Sequence, residues 1–156
     1  MEHYRVTEEE LDILTLAPVW VVLLVAGADG TITRKERQEA QAIMQKWCDC
    51  IDSDSPDLWR DLVENFETNI KGYQMLLPAA QDRRNEILSL KISQLNSFLN
   101  KLDAAFSERY VGFLRDLAQR VANASGGLFG YRNAQAVELK FIELPMIDFP
   151  GPKQDS

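Results

Sequence analysis

Residues 13–28, ILTLAPVWVVLLVAGA, carry no charge, and no other stretch constrains the chain as tightly. Such a run crosses a membrane, leads a secreted chain, or lies buried in a protein core. It is shorter than the roughly 20 apolar residues that span a bilayer, and Pro18 interrupts it. The preceding EHYRVTEEELD is acidic, where the start of a signal peptide would be cationic. A central helix buried on all sides is the reading that remains. With 156 residues and 46% hydrophobic content, the chain can build one sizeable core around that helix, so one domain is expected.

Charge and rare residues narrow the function classes. Twenty-four acidic against seventeen basic side chains give a net charge of −7. That balance disfavours nucleic acid and anionic membrane surfaces, and suits cations or basic protein surfaces. Two cysteines, Cys48 and Cys50, are too few and too close to staple a fold, which implies a reducing cytoplasm. Two positions apart on a helix they point about 200° away from each other, so they are read as packing or half-exposed thiols rather than joint metal ligands. The single histidine, His3, leaves no histidine-based triad and few zinc sites to consider.

Periodicity predicts helices almost throughout. Thr7 and Glu10 form a capping-box pattern, so a short first helix starts there; Thr15 or Leu16 restarts the chain, with Pro18 in a first turn where its missing N–H costs little. Ala40, Ile43, Met44, Trp47 and Ile51 place an apolar stripe on a helix from about Arg34 to Ile51. Ser55 and Pro56 open the next, whose inner face is Leu58, Trp59, Leu62, Val63 and Phe66. Gly72 and Pro78 punctuate a less regular stretch, followed by a seam of Leu88, Ile92, Leu95, Leu99 and Leu102 on a helix from about Arg83. Tyr110, Phe113, Leu114, Leu117, Ala118, Val121 and Ala122 form a wider stripe on another. Residues 137–144 alternate like a strand but also fit a helix, and helix is chosen because no second strand exists to pair with them. Pro145, Pro150, Gly151 and Pro152 then mark residues 145–156 as an extended or disordered tail behind a helical domain of 1–144.

The corner after the apolar helix, GADGTITRKE, supports two readings. As the second half of a calcium loop it places Asp29 at position five, Gly30 at the glycine, Thr31 at seven and Glu36 at twelve. Positions one and three then fall on Val25 and Gly27, which bring no side-chain oxygen. As a helix corner, Gly30 ends the buried helix, Ile32 enters the core, and Thr33 caps the next helix with Glu36 answering as a capping box. The corner is favoured; a weak divalent site drawing on Asp29, Thr31 and Glu36 stays open beside it. VAGADGTI echoes VANASGGL at Val121–Leu128, which suggests two helical hairpins related by an approximate twofold.

An apolar helix ending in VAGADGTITRKERQEA resembles the TerB-like family, helical domains associated with tellurite resistance and found also at the amino-terminal end of membrane-tethered J-domain cochaperones. Ala28, Asp29, Gly30, Ile32 and Glu36 carry the resemblance, which covers residues 16–45 well and, through the echo, extends to 107–142. It implies an all-α, single-domain bundle of about six to eight helices with pseudo-twofold hairpins. It also implies a non-enzymatic bacterial stress-response role in the cytoplasm, exercised through a protein partner that can be membrane-associated, with the acidic corner as a cation or partner site. Ser125 stands where the second corner would be acidic, which argues against two symmetric metal sites, and no HPD signature of a J-domain is present.

Two functional classes follow. The first is an interaction or scaffolding module with no certain cofactor beyond a divalent cation at the Asp29 corner. The second is a small helical enzyme or carrier that takes a hydrophobic ligand between helices. No nucleophile, base and orienting group can be assembled from the sequence, which favours the module. In LFGYRN, Phe129 and Tyr131 are expected on a glycine-rich loop beside Arg132, forming either an exposed contact surface for a protein partner or a cover over the hairpin end. Trp20, Trp47 and Trp59 fall on apolar faces and are read as core.

Overall fold

The structure, a computed structural model, describes residues 6–26, 32–50 and 56–149, and the side chains of all of these except 48–50, 56, 57 and 125–141. Helices are the only regular secondary structure among the described residues, with no strand, and they form one helical domain. There are five α-helices among them: α1 (Glu8–Val25), α2 (Arg34–Cys50), α3 (Pro56–Leu76), α4 (Gln81–Ser93) and α5 (Ala104–Ile142), with a 3-10 segment (Gln94–Ser97) closing α4.

Helix α1 is the axis of the molecule. Thr7 Oγ1 accepts the Glu10 N–H at 3.1 Å and Glu10 Oε1 accepts the Thr7 N–H at 3.0 Å, so the expected capping box starts the helix. Glu8, Glu9 and Glu10 in its first turn complement the helix dipole. From Ala17 to Ala26 every residue is buried, and the helix packs against α3, α4, α5 and the 3-10 segment. A helix enclosed on all sides needs no polar face, which is why this stretch carries none.

The expected restart at Thr15 or Leu16 does not occur: α1 runs unbroken through Pro18. A proline inside a helix removes one N–H, and the carbonyl four residues earlier loses its partner. Here that carbonyl belongs to Leu14, and the buried Tyr110 hydroxyl donates to it at 2.5 Å. The helix survives because a side chain from α5 replaces the bond that Pro18 cannot make.

Helix α2 opens on the second predicted capping box. Thr33 N–H donates to Glu36 Oε1 at 2.7 Å and Glu36 N–H to Thr33 Oγ1 at 3.1 Å. Thr33→Ala should therefore lose about 1 kcal/mol in urea unfolding; unchanged stability would contradict the cap. Helix α3 continues past Gly72 to Leu76, so the irregularity expected there is absent. Ile70 is fully buried and Tyr73 meets Trp20 edge-on at 6.1 Å, so packing on both sides of the glycine holds the helix.

The helix predicted to reach Leu102 ends as α-helix at Ser93, although Leu88, Ile92, Leu95, Leu99 and Leu102 are all buried as expected. The 3-10 segment turns the seam, and Ser93 and Ser97 hydroxyls bond the carbonyls of Leu90 and Gln94 three residues earlier. Asp103 Oδ2 then accepts the Phe106 N–H at 3.1 Å and starts α5.

Helix α5 is not one straight rod. Arg115 Nε donates to the Glu143 carbonyl at 3.2 Å and Nη2 to the Phe149 carbonyl at 3.3 Å. Along a straight helix residues 115 and 143 would stand about 42 Å apart, so the helical backbone doubles back between them. Ser125-Gly126-Gly127 lies in that interval and is the sequence least suited to continuing a helix. The stretch expected to be a loop at this corner is helical in backbone. The helix choice for 137–144 holds as far as Ile142.

Within residues 145–149 the chain turns and is held by hydrogen bonds from Asn96 and Arg115. Leu144-Pro145-Met146-Ile147 forms a β-turn closed by Ile147 N–H to Leu144 C=O at 3.0 Å, with Pro145 at the position where prolines favour turns. Leu144 and Ile147 are buried in the common core. Leu144 has φ 52°, a left-handed conformation that costs an L-residue on the order of 1 kcal/mol and persists because the packing fixes it. Residues 150–156 of the expected tail lie outside the described residues.

Candidate functional site

Helix α2 is held in place by polar pairs on both flanks. Arg37 Nε lies 3.4 Å from Glu67 Oε1 on α3, an ion pair without hydrogen-bond alignment, and Gln41 Nε2 donates to Glu67 Oε2 at 2.8 Å. Toward α5, Trp47 Nε1 donates to Asp116 Oδ2 at 3.1 Å and Arg120 pairs with Glu39 at 3.9 Å. The pairs on exposed surface add little to stability.

At the first turn of α2 sits Glu36, 1% exposed. Its Oε1 is committed to the capping box, while Oε2 is buried and finds no hydrogen-bond partner among the described residues. A buried carboxylate oxygen without a partner is costly, because it has lost water and gained nothing in exchange. Of the three predicted metal ligands the structure thus places Glu36; Asp29 and Thr31 lie outside the described residues. Among the described residues no group of three or more His, Cys, Asp or Glu side chains could hold a metal ion.

Of the predicted partner-binding residues, Phe129, Tyr131 and Arg132 stand on helical backbone rather than on a glycine-rich loop, and their side chains lie outside the described residues. The tryptophan reading holds: Trp20 and Trp59 are buried, and Trp47 is half-buried against the core. Cys48 and Cys50 lie at the end of α2, with side chains outside the described residues.

The structure adds three features that sequence reasoning missed. Met75 and Leu76 at the end of α3 are 87% and 77% exposed, and Leu90 on α4 is 65% exposed. The uninterrupted Met75-Leu76-Leu77 run before Pro78 was the available signal, since one helix face cannot bury three successive residues. Lys91 Nζ stands 5.7 Å from the ring centres of both Trp20 and Tyr73, a cation held over two aromatic faces. Third, Asn96 and Arg115 grip the C-terminal turn, and no local pattern marks either residue. Burial draws the Arg115 guanidinium below its ordinary value and the nearby Glu143 charge partly offsets this; arginine keeps its proton regardless.

No family model matches the chain, and no match is found among curated proteins or solved structures. No helix among the described residues is long and apolar enough to cross a membrane.

Proposed function

We infer that the protein is a non-enzymatic interaction module of the TerB-like kind, with a weak divalent-cation site at the corner of Asp29, Thr31 and Glu36. The observation that carries this reading is Glu36 itself, a buried carboxylate with one oxygen capped by its own helix and the other unpartnered among the described residues, at the foot of the acidic corner. A divalent cation drawn there would satisfy that oxygen and gain ligands from Asp29 and Thr31. In this reading the doubling back of α5 is a helical hairpin, and its two arms bring the helix number into the six-to-eight range. A stress-response role in a bacterial cytoplasm, exercised through a protein partner, belongs to the same proposal.

Thermal shift with calcium, magnesium, manganese and zinc tests the site. At least one ion at millimolar concentration should raise Tm of the wild-type chain by several degrees, as a ligand present at about 100 times its Kd stabilises by roughly 2.7 kcal/mol. Asp29→Asn and Glu36→Gln should each abolish the shift. Glutamine preserves the capping box, so a loss in Glu36→Gln reports the charge and not the helix start. No shift with any ion would refute the cation site.

A further inference from the structure

The C-terminal turn is held in the way a groove holds a peptide. Asn96, on the 3-10 segment, donates from Nδ2 to the Met146 carbonyl at 2.8 Å and accepts the Asp148 N–H on Oδ1 at 2.8 Å. From α5, Arg115 donates to the carbonyls of Glu143 and Phe149. All four bonds go to backbone, so none of them depends on the side chains of the captured segment. Specificity comes from the two ends of the β-turn, Leu144 and Ile147, whose side chains plug the core, and from Pro145, which presets the turn between them. Leu144 is held in the groove with a left-handed φ of 52°. That strain falls on the attached segment and weakens its hold.

We propose that the cleft between the 3-10 segment and the first half of α5 is a peptide-binding groove, closed in cis by the chain's own Leu144–Ile147 turn. In trans it takes a partner protein's segment of the same chemistry: an apolar residue, then proline and two further apolar residues, as Leu144, Pro145, Met146 and Ile147 supply in cis. The proposal deepens the interaction-module reading and rests on it, but is independent of the Asp29 corner. An attached competitor acts at an effective concentration in the millimolar range, so the intact chain shows only the affinity left by the fraction of time the turn is out.

The probe is a fluorescein-labelled peptide ELPMIDFPGPK, copied from residues 143–153, followed by anisotropy against the full chain. Ile147→Asp, which ejects the turn, should bind it at least tenfold more tightly than wild type. Adding Asn96→Ala to that variant should weaken binding at least tenfold. Equal binding by wild type and a folded Ile147→Asp, or indifference to Asn96→Ala, would overturn the groove. Hydrogen exchange on the wild-type chain covers the case in which Ile147→Asp fails to fold. The Ile147 and Asp148 amides should exchange at least 100-fold faster than those of Tyr110 and Leu114, reporting local release of the turn; exchange at the same rate would overturn the proposal. Dimerisation of wild type that the peptide reverses would assign the groove to a second copy and overturn the partner-protein reading. Failure of peptide binding with the cation-induced Tm shift intact removes the groove alone, whereas loss of the shift with peptide binding intact removes the corner alone.

Discussion

Alanine in place of Phe113 should destabilise the protein by about 3–5 kcal/mol, the usual cost of deleting a buried phenyl ring whose surroundings collapse only in part. Phe113 is fully buried on α5 and stands edge-on to Trp59 of α3 at 5.1 Å and to Trp47 of α2 at 5.9 Å, with Tyr110 at 6.3 Å. It is the ring at which three helices meet. Edge-to-face pairs contribute beyond their buried area, so the loss belongs at the upper end of the range. Urea unfolding of Phe113→Ala beside Met75→Ala makes the comparison, because Met75 is almost fully exposed and its truncation should stay within about 0.5 kcal/mol. Similar costs for the two would mean that the aromatic junction is not the core.

Tyr110→Phe should cost about 1–3 kcal/mol, the penalty for leaving a buried acceptor unsatisfied. The variant keeps the ring, its stacking on Phe106 at 5.8 Å and its volume, and removes only the hydroxyl that reaches Leu14. A pH signature accompanies it. Burial raises the Tyr110 pKa well above its ordinary value by disfavouring the phenolate. The unfolded chain therefore releases this proton first, near pH 10. The stability Tyr110 contributes is complete below that pH and falls as pH rises toward the folded-state value, by up to about 1.4 kcal/mol per pH unit. Between pH 9 and pH 11, wild type should lose stability more steeply than Tyr110→Phe. Parallel losses would mean that the phenol is not enclosed in the folded chain.

Features decided within a few residues were legible in the sequence. Both capping boxes, at Thr7 and Glu10 and at Thr33 and Glu36, depend on contacts three residues apart and formed as expected. The burial of α1 was legible because an uncharged run too short to cross a bilayer has only a core to enter. Its continuity through Pro18 was not, since the rescuing hydroxyl lies 96 residues away along the chain. Gly72 was read as a breaker on propensity, and the packing of Ile70 and Tyr73 outweighed it. Pro145 reads as the start of a tail beside Pro150, Gly151 and Pro152; proline also presets a turn, and the side chains of Asn96 and Arg115, with the burial of Leu144 and Ile147, are distant contacts that no local pattern announces. At the corner, Glu36 was legible as both cap and candidate ligand, because the same spacing serves both roles.

The double-mutant cycle of Pro18→Ala and Tyr110→Phe is the most direct test of the idea on which the architecture depends, a buried helix carried through proline by a hydroxyl from α5. Pro18→Ala gives the Leu14 carbonyl an amide donor inside its own helix, so the Tyr110 hydroxyl becomes less needed. In urea unfolding, Tyr110→Phe should cost at least about 1 kcal/mol less in the Pro18→Ala background than in wild type. Additivity within about 0.5 kcal/mol, as found for sites that share no partner, would contradict it.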